Sequence, residues 1–132
     1  MEMDVVNLSV IIVIGLVIIT GFFYFFPIGL WFAAQLGGVN VSLMELFFMK
    51  FRKAPVAEII KGLIMLSNSN IIINRKDLEV HALCKGDVMN VVNGMITARK
   101  IGLDLSFEKA CALDFQNINI AENIVDILEK QE

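Results

Sequence analysis

The chain opens with a long apolar run. Residues 5–26 comprise 22 positions without a charged side chain. A helix of that length rises roughly 33 Å, whereas the hydrocarbon core of a bilayer is about 30 Å thick. The pattern therefore predicts a membrane-spanning helix over residues 5–26. A cleaved signal peptide is disfavoured, because the leader MEMD is acidic, the apolar run is too long, and no small-residue cleavage site closes it.

The next segment, residues 28–51, is apolar but less uniform. Pro27 removes a backbone donor and predicts the end of the first helix or a kink in it. The segment is long enough for a second crossing, yet it contains residues that a clean span would avoid. These are Gln35, Gly37, Gly38, Asn40 and Glu45.

Two arrangements of residues 28–51 stay open. One is a hairpin that enters and leaves the membrane on the cytoplasmic side. The other is a single span followed by a re-entrant or interfacial segment. Trp31 would then lie at headgroup depth, and Lys50, Arg52 and Lys53 would lie over anionic lipid.

Three small residues recur at every fourth position of this segment: Gly29, Ala33 and Gly37. On one helix, such a spacing forms a face that lets two backbones approach closely in lipid. Self-association through this face is one interpretation, and chance recurrence is the other.

From residue 54 onward the apolar pattern repeats at a constant interval. Segments 55–64, 87–96 and 119–128 superimpose without gaps, and their apolar positions share the i, i+4, i+8 spacing of one helix face. Segments 70–83 and 102–115 superimpose at the same offset. The predicted helix N-caps are Asn74, Asp87, Ser106 and Asn119.

The predicted architecture is mainly α-helical. Residues 1–53 form a membrane anchor, and residues 54–132 form a small helical repeat domain. That domain consists of about five short helices in αα repeats, with strands of two residues at most. Repeats of this kind bury their apolar faces by stacking on one another.

Composition and charge restrict the function. The chain has 132 residues, is 57% hydrophobic and carries a net charge of −3. Because no basic residue precedes Lys50, the positive-inside tendency predicts that the C-terminal domain is cytoplasmic. Basic and acidic residues are interspersed after residue 53, so nucleic acid is not expected as a partner.

The sequence contains little that suggests catalysis. His81 and Cys84 are three positions apart on a predicted helix, but a tetrahedral zinc site needs more ligands. A core histidine is the preferred interpretation. Cys84 and Cys111 are each expected to be a reduced residue of the core. We therefore predict no catalytic residues, metal or cofactor.

Two stretches, residues 81–114 and the proline-broken anchor at 25–39, resemble the bacterial flotillin-like proteins of the FloA type. The resemblance is based on two motifs, GDVMNVVN at 86–93 and LSFEKA at 105–110. It implies a membrane anchor and this helical region, followed by a stomatin/prohibitin/flotillin/HflK-type domain and a coiled coil. This chain ends at Glu132, as either a naturally short relative or a truncated product.

The resemblance implies a membrane-anchored oligomeric scaffold that organises membrane microdomains. Its expected partners are the lipid bilayer, further copies of itself and membrane-protein clients, and no catalysis is implied. The alternative function is a small accessory or regulatory subunit of another membrane complex.

We expect the protein to sediment with membranes and to remain there through carbonate extraction at high pH. Exposing the apolar surface of residues 5–26 to water costs roughly 25 cal/mol per Å². The measurement is the distribution of protein between pellet and supernatant. Release into the supernatant would contradict an integral anchor.

Overall fold

A computed structural model describes residues 4–130 as eight α-helices, and no strand occurs in that range. The mainly α-helical architecture is therefore confirmed. The helices are α1 (Val5–Phe25), α2 (Ile28–Leu36), α3 (Leu43–Phe51), α4 (Val56–Asn68), α5 (Arg75–Leu83), α6 (Val88–Lys100), α7 (Phe107–Phe115) and α8 (Ile120–Glu129).

Helix α1 agrees with the predicted span. It contains 21 residues, none of them buried. Its C-cap is Phe26, and Pro27 follows, so the helix ends where a backbone donor is missing. Among the described residues, α1 is the one helix that is long and apolar enough to cross a membrane.

Residues 28–51 fold as two separate helices. Helices α2 and α3 have nine residues each, which is about 14 Å and less than half the thickness of a bilayer core. Gly38, with φ of +74°, lies in the turn that follows α2. Ser42 and Glu45 then start α3 with a reciprocal capping box. Gly37, Gly38 and Glu45, which are unfavourable in a continuous span, thus serve as cap and turn residues.

The repeat found in the sequence is present in the fold. Helices α4, α6 and α8 begin at residues 56, 88 and 120, and α5 and α7 begin at residues 75 and 107. Each helix from α5 to α8 has the predicted N-cap residue, whose side chain accepts a hydrogen bond from a backbone N–H of the first turn.

The structural repeat begins earlier than the sequence analysis found. Helix α3 begins at residue 43, one repeat interval before α5, and α2 ends at residue 36, one interval before the end of α4. Left-handed backbone recurs at the same interval after the helices. These residues are Gly38, Asn70 and Gly102 in one set and Lys53, Lys85 and Asn117 in the other. The helical repeat thus crosses residue 53, and a domain boundary there stays a prediction.

The repeat units stack as two layers. In the inner row α2 packs on α4, α4 on α6 and α6 on α8. The second helix of each unit, α3, α5 or α7, packs against the first helix of the next unit. The buried core therefore runs continuously from Ala34 in α2 to Ile124 in α8.

Glycines occupy two close contacts in the inner row. A Cβ added at Gly62 would lie 2.9 Å from Val92 Cγ2, and one added at Gly94 would lie 2.6 Å from Ile120 Cβ. These glycines occupy the same position of successive repeats, so glycine lets neighbouring helices approach closely at both places.

We expect Gly94→Ala to lower the melting temperature of the protein. The added methyl group would collide with the branched Ile120 side chain. Overpacking of this kind costs about 1–3 kcal/mol, which outweighs the roughly 1 kcal/mol of helix propensity that alanine gains over glycine. The measurement is thermal unfolding in detergent, followed by circular dichroism.

The matched control is Asn93→Ala, which introduces the same residue at an exposed position of the same helix. It should leave the melting temperature unchanged or raise it slightly. Equal melting temperatures for Gly94→Ala and the parent would mean that the α6–α8 contact tolerates a side chain.

Candidate membrane interface

The end of α1 is joined to α3 by aromatic rings. The Phe47 ring centroid lies 5.4 Å from that of Phe25 and 5.2 Å from that of Phe26. Phe26 in turn stacks on Phe22 at 4.6 Å. Such ring pairs contribute about 0.5–1.5 kcal/mol each beyond the area that they bury. They hold the predicted span against the first repeat unit.

Lys50 forms a polar contact at the same place. Its Nζ donates a hydrogen bond to the Tyr24 carbonyl oxygen at 2.8 Å and lies 5.1 Å from the centre of the Tyr24 ring. The last carbonyls of a helix lack donors within that helix, and a cation near them is favourable. Lys50 therefore puts a positive charge at the end of the apolar helix.

The outer face of α3 is apolar. Met44, Phe48 and Phe51 are exposed at i, i+4 and i+7, while Leu46 and Met49 on the opposite face are fully buried. Leu46 and Met49 already place α3 in the core, so the exposed outer face makes no contribution to that core. It lies beside the end of α1 and is available to lipid.

Helix α2 also presents exposed apolar side chains. Phe32 and Leu36 are exposed, and Gly29 and Ala33 lie on the same face. Trp31 is half-buried, packs at the edge of the core, and contacts Phe32 edge-on with ring centroids 5.6 Å apart.

The other two basic residues of the predicted surface have different surroundings. Arg52 Nε donates to Glu79 Oε1 at 2.8 Å, and Arg75 Nη1 donates to Glu79 Oε2 at 2.9 Å. Two guanidinium groups thus stabilise the buried carboxylate of Glu79, and Arg52 contributes to packing between units. Lys53 is exposed in the left-handed turn after α3.

The three small residues of α2 do not share one environment. Gly29 has no heavy atom within 4 Å of an added Cβ, and Ala33 is exposed. A Cβ added at Gly37 would lie 2.6 Å from Ile64 Cγ1 in α4. Positions i and i+8 differ by roughly 80° around a helix, so one end of the stripe faces outward and the other faces α4.

His81 is a core residue, as expected. Its Nε2 lies 2.8 Å from Asp114 Oδ2, and both side chains are buried. Asp114 also accepts hydrogen bonds from the Asp87 backbone N–H at 2.8 Å and from Asn90 Nδ2 at 2.7 Å. The carboxylate is thus occupied in joining α5, α6 and α7.

Cys111 is partly buried, whereas Cys84 is exposed, so the expectation of a core residue is wrong for Cys84. Burial raises the pKa of the Cys111 thiol to about 11, and the carboxylates of Asp114, Asp77 and Glu108 add to the effect. This thiol therefore stays protonated and is a weak nucleophile near neutral pH. Within residues 4–130, no three histidine, cysteine or acidic side chains are grouped to hold a metal ion.

Several residues of this interface have roles that the sequence analysis did not assign. The carbonyl of Tyr24, the buried Glu79 and the buried Asp114 were not singled out. One partner of each lies 26 to 33 positions away in the chain, a separation at which side-chain pairing leaves no local pattern.

The chain matches known proteins over nearly its whole length. The family model "Flotillin-like protein FloA" matches residues 8–129. The protein of that name from Bacteroides thetaiotaomicron is 36% identical over 116 residues, 87% of this chain and 35% of the relative. That from Parabacteroides distasonis is 38% identical over 104 residues, 78% of this chain and 32% of the relative.

A relative from Alkaliphilus metalliredigens, also named flotillin-like protein FloA, is 36% identical over 115 residues, 87% of this chain and 35% of the relative. No solved structure matches. The chain spans about a third of the length of these curated relatives. Because the family model matches nearly every residue from the first turn of α1 to the end of α8, this chain belongs to the flotillin-like FloA family.

Proposed function

We propose that this chain is the membrane-anchored, non-catalytic part of a flotillin-like scaffold. The observation that carries the proposal is an exposed, apolar 21-residue helix whose last residues contact the first of the stacked repeat units. Such an arrangement suits a protein that holds an assembly surface next to a membrane. The buried polar side chains, Glu79, His81 and Asp114, bind one another or neighbouring helices. We therefore assign them a structural role.

We further propose that α1 crosses the cell membrane and that α2 and α3 lie in its cytoplasmic interface. The apolar outer face of α3 and the position of Lys50 at the end of α1 support this arrangement. Lys53 and the half-buried Trp31 are suited to headgroup contact. Arg52 is less available to headgroups, because its half-exposed side chain forms an ion pair with Glu79. Residues 1–53 would then be the membrane-associated part, and the later repeats would be cytoplasmic.

Self-association is proposed through the exposed part of α2. Gly29 and Ala33 allow a second helix to approach, and Phe32 and Leu36 flank them with apolar area. In this proposal the assembly is a homo-oligomer that organises membrane microdomains or membrane-protein clients. The alternative, an accessory subunit of another membrane complex, would use the same face for a different partner.

The membrane topology of the chain can be tested by cysteine labelling. In a chain with Cys84→Ser and Cys111→Ser, we expect Lys76→Cys to be protected from an impermeant maleimide added to spheroplasts and to react after permeabilisation. Met3→Cys, which precedes the described residues, should react from outside if α1 is the single span. The reason is that basic residues are retained on the cytoplasmic side.

Other labelling patterns have distinct consequences. Protection at both positions would indicate a hairpin in place of the single span. Labelling at Lys76→Cys in sealed spheroplasts would show that the cytoplasmic orientation is wrong.

The assembly of the chain can be tested by crosslinking. We expect the parent alone to form large crosslinked assemblies in detergent, with a yield that rises with protein concentration. Gly29→Leu and Ala33→Leu should each reduce this yield, because a larger side chain separates the two backbones. A loss of about 1.4 kcal/mol per contact gives a tenfold change in the association constant.

The matched control is Gly15→Leu, since Gly15 also has no heavy atom within 4 Å of an added Cβ. Gly37→Leu is not a suitable test, because its side chain would collide with Ile64. Unchanged crosslinking of both α2 variants would exclude this face as the interface. A parent chain that stays monomeric alone would favour the accessory subunit.

A further inference from the structure

The first helices in the middle of the stack, α4 and α6, each use two faces. The back face packs on the preceding first helix, as Val92 of α6 packs on Gly62 of α4. The front face, which carries that glycine, is covered by the helices that follow: Gly62 lies beneath α6, and Gly94 lies beneath Ile120 of α8. Within residues 4–130, no repeat unit lies before the back face of α2 or after the front face of α8.

The front face of α8 is polar. Three front-face positions are buried in both preceding helices: Ile59, Gly62 and Leu66 in α4, and Val91, Gly94 and Ala98 in α6. One repeat interval later stand Asn123, Asp126 and Lys130, all of them exposed. A fourth position keeps an apolar residue, Ile127, which is already half-buried.

These polar residues make α8 a poor surface for another repeat helix. Covering Asn123, Asp126 and Lys130 with an apolar helix would remove them from water without supplying hydrogen-bond partners, which is unfavourable. Terminal units of repeat proteins commonly present a polar outer face of this kind. The stack is therefore closed at α8.

The back face of α2 is apolar and open. Phe32 occupies the repeat position of Ile64, Ile96 and Leu128, which are half-buried in the later first helices. The Phe32 side chain is 58% exposed. Helix α2 thus has an apolar stacking residue at a position where none of the described helices covers it.

The positions beside this back face also differ from those of α4 and α6. Leu36 is 83% exposed and occupies the repeat position of Asn68 and Lys100. Gly29 occupies that of two further exposed polar residues, Lys61 and Asn93. Small residues flanked by large apolar ones favour close packing of a second helix in lipid.

We propose that copies of this chain associate by packing α2 against α2, and that α8 takes no part in the contact. The inference rests on the self-association through α2 proposed above and names the partner surface. The back face of α2 occupies the positions that pack on a first helix elsewhere in the stack. Among the first helices described, α2 offers an open apolar face, whereas those of α4 and α6 are covered and that of α8 is polar.

The polar end at α8 also limits how the assembly grows. Stacking of one copy's α8 on the α2 of the next copy would be a head-to-tail contact. Such contacts form rings if their rotation closes and open filaments if it does not. Contact of α2 with α2 uses the same element of both copies, so it does not extend the repeat stack from one chain into the next.

Disulfide crosslinking tests the contact between α2 helices. In a chain with Cys84→Ser and Cys111→Ser, a single cysteine is introduced as Phe32→Cys or Leu36→Cys. Isolated membranes that contain the full chain are oxidised with copper phenanthroline, and the yield of covalent dimer is measured. The matched control is Asn68→Cys, which is exposed at the repeat position of Leu36 in α4. Circular dichroism of each purified variant verifies the helical fold.

A second pair of cysteines tests the head-to-tail contact. Val92 contacts Gly62 within the chain, and one repeat interval away the equivalent residues are Ile28 of α2 and Asp126 of α8. Chains with Ile28→Cys and with Asp126→Cys, carrying tags of different size, are therefore co-expressed in the same background and oxidised. Stacking of α8 on α2 would give a mixed dimer of intermediate size.

We expect dimer yields at positions 32 and 36 to exceed the yield at 68 severalfold, and the mixed 28–126 dimer to stay at the level of the 68 control. A mixed dimer above that level would overturn the inference and leave self-association through α2 intact. Yields at 32 and 36 no higher than at 68, in a chain that lysine crosslinking still joins into assemblies, would overturn the α2 contact and leave a homo-oligomeric scaffold. A chain that stays monomeric with both reagents would overturn both proposals.

Discussion

The structure depends on the close stacking of the first helices of successive units. Helices α2, α4, α6 and α8 form one row, and at each crossing a glycine meets a branched side chain of the next helix. Gly37 meets Ile64, Gly62 meets Val92 and Gly94 meets Ile120. A short amphipathic helix cannot bury its apolar face alone, and each helix here completes the burial of its neighbour. The small residues determine how near the helices come and therefore how well the core is packed.

Directional polar contacts add a defined register to this apolar stacking. Apolar surfaces attract without specifying one alignment, whereas a buried carboxylate is stable only if its hydrogen bonds are satisfied. Glu79 receives Arg52 and Arg75, and Asp114 lies between His81 and Asn90. Each group contacts a neighbouring unit. A shift of one unit against the next would leave a buried charge unpaired, so these contacts favour a single arrangement.

The end of α1 contacts the stack at an equivalent position. Phe47 of α3 occupies the repeat position that Glu79 occupies in α5, since each is the fifth residue of its helix. Glu79 contacts the end of the preceding second helix at Arg52, and Phe47 contacts the end of α1 at Phe25 and Phe26. The last residues of α1 thus contact α3 at the repeat position where the end of α3 contacts α5.

The sequence by itself determined the features that depend on neighbouring residues. A charge-free run long enough for a bilayer predicted α1, and apolar periodicity with N-cap residues predicted α4 to α8, because both signals act within a few turns. The sequence pattern did not predict a repeat unit in residues 28–51, because α3 is apolar on both faces and lacks an amphipathic pattern. Only the tertiary structure decided that Gly37 faces α4 while Gly29 faces outward, and that Arg52 binds Glu79. Those outcomes depend on which helix packs alongside, and residues about 30 positions apart carry no local trace of their partner.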